Sequence, residues 1–333
     1  MNLLQRMLKA RDNDRIGHLD KEKLKRGVLR AGSTGMLSSE GEVVGACHRV
    51  SLLRSKGVEV DPPSASALIM FELGYANEDV IYKALVSSLA EGESIKREEE
   101  IPINWNTSNG TLVTGRPDIA VLDSTGKITM GIELKSVHSL WTARDVLFGR
   151  KPKLPNLAQS AHYMHRLGLS EYKLMYKSYS QLGQGMAGTD GWIQRMFPKH
   201  GEEGSEYIEY GEDTSGKHTI KHIKQFEIVY DLMFDKHGRL LYRVEGVKTA
   251  WNATILTRQG IEKYFELVSK MEETKNLGPR PSAIDALGKK LSYSACKYCP
   301  LNQTCTTFQK SGYDKWMVEV LKTVEENKKA KES

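Results

Sequence analysis

The four cysteines of this chain constrain its fold more than any other feature of the sequence. Three form a short cluster, Cys296-Lys-Tyr-Cys299-Pro-Leu-Asn-Gln-Thr-Cys305, and the fourth, Cys47, lies far upstream. Four thiolates suit either a structural zinc ion or an iron–sulfur cluster, and the residues by themselves favour neither. A shared site would bring both ends of the chain together, because the entropic cost of closing a loop grows only slowly with its length.

The composition is typical of a water-soluble protein. Hydrophobic residues make up 39% of the chain and charged residues 27%, and no apolar run is long enough to span a bilayer. The first residues, Met1–Arg6, lack the apolar stretch of a secretion signal. We therefore expect a cytoplasmic protein without membrane contact, in which the cysteines stay reduced and do not form disulfides. The net charge of +6 is compatible with a nucleic-acid partner, although many proteins without one are as basic.

The chain divides by composition into an arm, a core, a cysteine subdomain and a tail. The predicted boundaries are 1–45 for a loosely packed N-terminal arm, 46–275 for the core, 276–312 for the cysteine subdomain completed by Cys47, and 313–333 for a polar tail. Within the core, residues 181–221 are rich in glycine and charge, which predicts an inserted loop or ribbon. We find no internal repeats.

Apolar periodicity predicts helices and strands in the core. The predicted helices cover about 46–56, 65–89, 157–167 and 258–275. The predicted strands cover 101–105, 112–122, 128–136, 173–179, 226–234 and 239–244.

Two acidic residues on neighbouring predicted strands form a second constellation. In the strand 128–136, Glu133 and Lys135 alternate with aliphatic residues and so share one face. Asp118 opens the preceding apolar strand, and a tight turn between the strands would bring it close to Glu133. Such carboxylates suit Mg²⁺ or Mn²⁺, with the backbone carbonyl of Leu134 as a further ligand, and the lysine can orient a water for phosphodiester hydrolysis. The alternative is a half-exposed hairpin with solvated charges, which is the more frequent origin of an isolated Glu-x-Lys.

The residues around this pair resemble a nuclease motif. Gly115-Arg-Pro-Asp118 followed by Glu133-Leu-Lys135 resembles the signature of the PD-(D/E)xK nuclease superfamily. Gln159 and Tyr163, one helical turn apart, resemble the Gln-x-x-x-Tyr motif of its RecB-like branch. Gly74-Tyr-Ala-Asn-Glu78 resembles the Gly-x-x-x-His/Glu helix of that branch, which places Glu78 at the position of the third metal-site residue.

The order of the cysteines extends the resemblance. One cysteine before the nuclease core and three after it are similar to RecB-like nucleases that carry a [4Fe–4S] cluster, among them CRISPR-associated members, the AddB nuclease domain and phage exonucleases. The resemblance therefore favours a [4Fe–4S] cluster over structural Zn²⁺. It covers about residues 44–310 and implies an α/β restriction-endonuclease-like core, in which helices flank a central mixed sheet, with an iron–sulfur subdomain formed by both chain ends.

The resemblance also implies a function. It predicts a metal-dependent DNA exonuclease that prefers single strands or DNA ends, in recombination, replication or repair. In this reading Asp118, Glu133 and Glu78 are catalytic metal ligands, Lys135 activates water, and Gln159 and Tyr163 hold the substrate. Possible partners belong to recombination or CRISPR-adaptation complexes, and a phage origin, with action in the host cytoplasm, would fit the compact size. The alternatives are a structure-specific endonuclease and a non-catalytic assembly factor that binds DNA ends.

Overall fold

The structure is a computed structural model that describes residues 28–31, 35–55, 65–107, 110, 112–138, 140–178, 197–202, 205, 208–212, 214–223, 227–248, 250–274, 318 and 322. In chain order, the strands β1 to β14 are Val28–Arg30, Gly35–Leu37, Val43–Gly45, Ser94–Arg97, Ile103–Asn106, Leu112–Gly115, Ile119–Leu122, Ile128–Val137, Glu171–Ser178, Ile208–Glu212, His218–Ile223, Glu227–Phe234, Arg239–Val244 and Asn252–Thr257. The helices α1 to α5 are His48–Ser55, Ala65–Val86, Leu140–Ala143, Leu154–Leu167 and Arg258–Glu273. A π-helical turn, Arg144–Phe148, continues α3, and a 3-10 turn, Glu98–Glu100, follows β4.

A seven-stranded mixed sheet forms the centre of this α/β protein. Its strand order is β14-β13-β12-β9-β8-β7-β4. The neighbours β8 and β9 are parallel, and the other pairs in this sheet are antiparallel. Parallel neighbours need a crossover, which α3, the π-helical turn and α4 supply here. The strand β8 therefore lies inside the sheet and is covered by helices.

The two faces of the central sheet carry cores of different size. On one face, Tyr172, Leu174 and Tyr176 of β9 belong to the same core cluster as residues of α4. On the other face, Ile132 and Leu134 of β8 belong to a smaller cluster that includes Ile81 of α2. Because side chains alternate along a strand, Glu133 and Lys135 point away from the α2 cluster. The predicted separation of these two residues from the aliphatic face is confirmed.

The prediction of a loosely packed arm is wrong for the described residues of 28–45. The strand β1 pairs with β6 in a three-stranded sheet, and β2 and β3 form a hairpin against α5. Met36 is fully buried, and a side chain at Gly35 would overlap the Val44 carbonyl. Strands of three residues are too short to show an apolar period, so periodicity cannot predict them. Residues 1–27 of the predicted arm lie outside the described residues.

The single strand predicted over 112–122 is in fact two strands in different sheets. The first, β6, belongs to the three-stranded sheet, and the second, β7, belongs to the central sheet. The break contains Pro117, which has no N–H for a strand ladder and restricts the residue before it. As a result, Asp118 lies in the break, at the start of β7.

The remaining elements follow the predicted order, but the short helix α3, the π-helical and 3-10 turns and two edge strands were not predicted. The predicted helices and the other predicted strands are present, with boundaries shifted by less than one helical turn. The strands β4 and β14 were not predicted; both lie at the edges of the central sheet, where polar residues obscure a strand pattern. Within the inserted segment 181–221, β10 and β11 form a two-stranded antiparallel ribbon. In the part of the chain that the structure describes, no helix is long and apolar enough to cross a membrane.

Candidate active site

The structure brings Asp118 and Glu133 together across the hairpin of β7 and β8. The register pairs Ile119 with Ile132, and extending it by one residue places Asp118 opposite Glu133. Directly opposed side chains of this kind lie roughly 5 Å apart at Cβ. The Asp118 carboxylate accepts the backbone N–H of Leu134 through Oδ2 at 2.7 Å. This bond anchors the Asp118 carboxylate to the residue that follows Glu133 on β8.

Glu133 is fully buried and only partly neutralised. Its relative exposure is 0%, and Lys135 Nζ donates to its Oε1 at 2.5 Å. Its second oxygen, Oε2, has no hydrogen-bond partner among the described residues. The alternative of a solvated polar face is therefore wrong for Glu133. A buried carboxylate oxygen without a partner is energetically costly and is unusual in a purely structural site.

The charges of the centre do not balance. Burial, with the charge of Asp118, raises the pKa of Glu133 to about 8, although Lys135 opposes this shift. Burial also raises the pKa of Asp118, against the effects of Lys135 and the Leu134 N–H. Burial lowers the pKa of Lys135, but the two carboxylates outweigh burial and leave that pKa above its ordinary value. Two acids thus share one cation, so the centre favours a bound proton or a further cation.

Helix α2 brings a third carboxyl group to the centre. Burial, followed by the charges of Asp118 and Glu98, raises the pKa of Glu78 to about 7, while Lys135 and Arg97 lower it. Glu78 therefore lies within electrostatic reach of both Asp118 and Lys135. This arrangement agrees with its predicted place beside the other two acids.

Polar contacts hold this part of α2 against the sheet. Asn77 Nδ2 donates to Ser136 Oγ at 3.4 Å, which ties the helix to the end of β8. Arg97 of β4 donates to Asp79 at 2.6 Å, and its guanidinium lies 4.1 Å from the centre of the Tyr82 ring. The Glu78 backbone is thus fastened to the sheet on both sides.

Gln159 and Tyr163 share one face of α4, as predicted, but differ in exposure. Gln159 Nε2 donates to Tyr163 Oη at 3.4 Å, and Gln159 is half-buried whereas Tyr163 is 3% exposed. A Cβ at Gly115 would lie 2.6 Å from the Tyr163 ring, so this position needs glycine. The Tyr163 hydroxyl also accepts the backbone N–H of Arg116. Tyr163 therefore supports the segment that leads into Asp118.

One residue near the centre was missed by the sequence analysis. Tyr172 of β9 pairs in register with Gly131 of β8, two residues before Glu133 on the same face. A Cβ at Gly131 would overlap the Tyr172 ring. The available sequence signal was the glycine inside the strand, which often marks close approach of another group.

The donor set fits a hard divalent cation. Among the described residues, no group of three or more His, Cys, Asp or Glu side chains is arranged to hold a metal ion. Mg²⁺ needs fewer protein ligands, because it is commonly bound by one or two carboxylates and keeps several waters. Asp118 and Glu133 are two opposed carboxylates with a surplus of negative charge and one unpartnered oxygen. The backbone N–H of Leu134 donates to Asp118, and Glu78 adds a third acid within electrostatic reach.

The cysteine site is only partly within the described residues. Cys47 lies between β3 and α1 and is half-buried. Cys296, Cys299 and Cys305 lie outside the described residues, as do most of the predicted subdomain and tail. The four-cysteine cluster therefore remains a prediction.

Fold and centre together define a mixed α/β protein with a buried carboxylate–lysine site. No family model matches the chain, and no curated protein matches it in sequence. Among solved structures, the crystal structure of a protein named SSO0001 is similar to 53% of this chain and 73% of its own, with 16% sequence identity and a TM-score of 0.30. This similarity is too weak to support an argument about function.

Proposed function

We propose that this chain is a metal-dependent deoxyribonuclease whose active site contains Asp118, Glu133 and Lys135. One observation carries the proposal: the fully buried carboxyl of Glu133 and the neighbouring, half-buried carboxyl of Asp118 share a single cation, Lys135. A buried charge without compensation is strongly destabilising, so such an arrangement is poorly suited to a structural role. Perturbed carboxyl groups of this kind are characteristic of functional sites.

In this proposal Asp118 and Glu133 bind Mg²⁺ or Mn²⁺, with the Leu134 carbonyl as a further ligand, and Glu78 adds negative charge beside them. The bound metal supplies Lewis acidity and lowers the pKa of a coordinated water. Lys135 stays protonated beside Glu133 and Asp118, so it can orient the attacking water and offset negative charge on the phosphate. Water adds to phosphorus, the bond from phosphorus to the leaving oxygen breaks, and that oxygen takes up a proton.

The α4 residues have separate roles in this proposal. Gln159 is half-buried and contacts Tyr163, so we propose that its amide contacts the substrate backbone. Tyr163 is buried, so we propose that it contributes to substrate binding by holding Gln159 and the segment before Asp118. Its contact with Gly115 supports this role.

The finer architecture is part of the same proposal. A restriction-endonuclease-like core is supported by the mixed sheet, by α2 and α4 on opposite faces, and by acids on adjacent strands. We further propose that Cys47 joins the three C-terminal cysteines around a [4Fe–4S] cluster, with structural zinc as the alternative. Its position immediately before α1 leaves it accessible for such a site.

The test is a cleavage assay on end-labelled linear and circular single-stranded DNA, with Mg²⁺ or Mn²⁺ and anaerobically purified protein. We expect degradation of the linear strands but not the circles, and loss of this activity in Lys135→Ala and Glu133→Gln. Lys173→Ala, which changes another lysine on the same sheet, should remain active per folded molecule. Cleavage of circles would identify an endonuclease. Retained DNA binding without cleavage would contradict the enzymatic proposal and favour an assembly factor.

A further inference from the structure

The hydroxyl of Tyr172 is a buried polar group that the roles above do not use. Tyr172 lies in β9 with 0% exposure, and its Oη has no hydrogen-bond partner among the described residues. Leaving such a group unpaired destabilises the fold, whereas a phenylalanine at the same place would avoid this cost. The hydroxyl therefore calls for a specific partner.

The Tyr172 ring lies against β8 two residues before Glu133. Gly131 is opposite Tyr172 in the parallel pair of β8 and β9, and it shares a face with Glu133. The absence of a side chain at Gly131 leaves room for the ring to lie directly against β8. Burial raises the pKa of Tyr172 well above its usual value, and the charges of Glu133 and Asp118 add to this increase.

The neighbouring tyrosines on the same face of the sheet have hydroxyls with hydrogen-bond partners. Tyr176 Oη accepts the Lys153 backbone N–H at 2.9 Å and the Asn156 amide at 3.0 Å. Tyr230 donates to the carbonyl of Val146. Both hydroxyls are satisfied by the crossover segment, and Tyr172 differs from them in this respect.

We infer that Tyr172 is a positioning residue, whose hydroxyl donates a hydrogen bond to Oε2 of Glu133 and holds that carboxylate between Lys135 and Asp118. The donor and the acceptor are both buried, both lack a partner and lie on adjacent strands. The terminal torsion of a glutamate is broad, so the orientation of Oε2 about that torsion is adjustable. The effect on catalysis rests on the proposed function, whereas the hydrogen bond itself does not.

The experiment compares Tyr172→Phe with Tyr230→Phe, each as the full chain, by urea denaturation and by DNA cleavage. Tyr172→Phe should lower the urea midpoint, and it should lower kcat about tenfold with little change in KM, because a misplaced catalytic group affects the transition state more than substrate binding. Tyr230→Phe should lower the midpoint but leave kcat per folded molecule unchanged. In a Glu133→Ala background, Tyr172→Phe should no longer lower the midpoint, because the acceptor is gone.

The outcomes separate this inference from the proposed function. An unchanged or higher midpoint in Tyr172→Phe would show an idle hydroxyl and overturn the inference, whether or not the protein cuts DNA. A lower midpoint that persists in the Glu133→Ala background would assign the hydroxyl to another partner and also overturn it. A lower midpoint with unchanged kcat in an active enzyme would overturn the positioning role. If wild type does not cut DNA, the effects of Tyr172→Phe on the urea midpoint, in wild type and in the Glu133→Ala background, still decide whether Tyr172 pairs with Glu133.

Discussion

Glu133 and Asp231 are both buried acids of the central sheet, but their surroundings are opposite. Asp231 is 4% exposed, and each of its oxygens has a cation: Lys173 on Oδ1 and Arg243, at 3.0 Å, on Oδ2. Glu133 is 0% exposed, has one cation on Oε1, lacks a partner on Oε2 and faces the carboxyl of Asp118. Balanced charge marks a structural ion pair, and unbalanced charge marks a candidate active site.

Strand register accounts for the difference. Asp231 of β12 lies directly opposite Lys173 of β9 on one side and Arg243 of β13 on the other. Opposite charges at such positions neutralise one another. Glu133 has Leu174 opposite it on β9, so its cation comes from its own strand, two residues along. The sheet therefore compensates one acid fully and the other only in part.

The largest expected effect concerns catalysis. Asp118→Asn and Glu133→Gln each remove a charged oxygen from the proposed metal site, so DNA hydrolysis should fall by at least about 100-fold. Asp231→Asn should leave the turnover of folded molecules unchanged, since that acid has a structural role. Steady-state rates, corrected for the folded fraction, would measure both effects. Similar losses in all three variants would remove the distinction between the two acids.

The second prediction concerns stability and has opposite signs at the two acids. Asp231→Ala removes the carboxylate that contacts Arg243 and leaves Lys173 paired with Glu245 alone, so it should cost about 2 kcal/mol of unfolding free energy. Glu133→Gln should instead raise the free energy of unfolding by about 1 kcal/mol at pH 8. At this pH the glutamate ionises freely in the unfolded chain but only at a cost in the folded protein, where its pKa is raised to about 8, and the neutral amide avoids this cost. Urea denaturation of the metal-free proteins at pH 8 would measure both. A destabilising Glu133→Gln would show that the carboxylate is well compensated.

His162 is a third buried titratable group, and burial favours its neutral form. Its Nε2 contacts the Gly35 carbonyl at 2.9 Å, and burial lowers its pKa from 6.5 to about 4. Between these two pKa values the unfolded chain binds the proton more readily than the folded chain. The contribution of neutral His162 to the free energy of unfolding is therefore complete above pH 6.5 and decreases as the pH falls. The total loss at pH 4 should be up to about 3 kcal/mol. His162→Phe should reduce the slope of stability against pH in this window by about one proton, and an unchanged slope would exclude His162 as the source.

The smallest expected effect concerns strain beside the crossover. Among the described residues, Arg150 alone of the non-glycine residues has a positive φ, at 49°. Arg150→Gly should relieve this strain and raise the unfolding free energy by roughly 1 kcal/mol. Lys151→Gly, at a neighbouring position without positive φ, should not stabilise the protein. A thermal melt of the two variants would show the difference, and equal shifts would mean that Arg150 is not strained.

The central part of the candidate site was predictable because its signal is local. Asp118, Glu133 and Lys135 lie on two consecutive strands joined by a turn, so alternation and turn chemistry are enough to place them together. Gln159 and Tyr163 are one turn apart, and a helical period places them on one face. The position of Gln159 and Tyr163 after Lys135 in the chain supported the prediction that they belong to the site.

The contacts that were missed depend on tertiary structure. Tyr172 meets the centre only because β9 returns parallel to β8 after a crossover, and no local pattern specifies that register. The contact of Tyr163 with Gly115 and the short strands of residues 28–45 likewise depend on packing between distant segments. The break at Pro117 was visible in the sequence, but the apolar run around it concealed the change of sheet.

The most direct test of the account is calorimetric titration of Mn²⁺ into anaerobically purified wild type, Glu133→Gln and Asp231→Asn at pH 8. We expect wild type and Asp231→Asn to bind the ion with similar affinity and Glu133→Gln to lose this binding, because Glu133 shares its cation with Asp118 whereas Asp231 has a cation on each oxygen. Equal binding by all three proteins, or binding lost only in Asp231→Asn, would contradict the assignment of the metal site to Asp118 and Glu133.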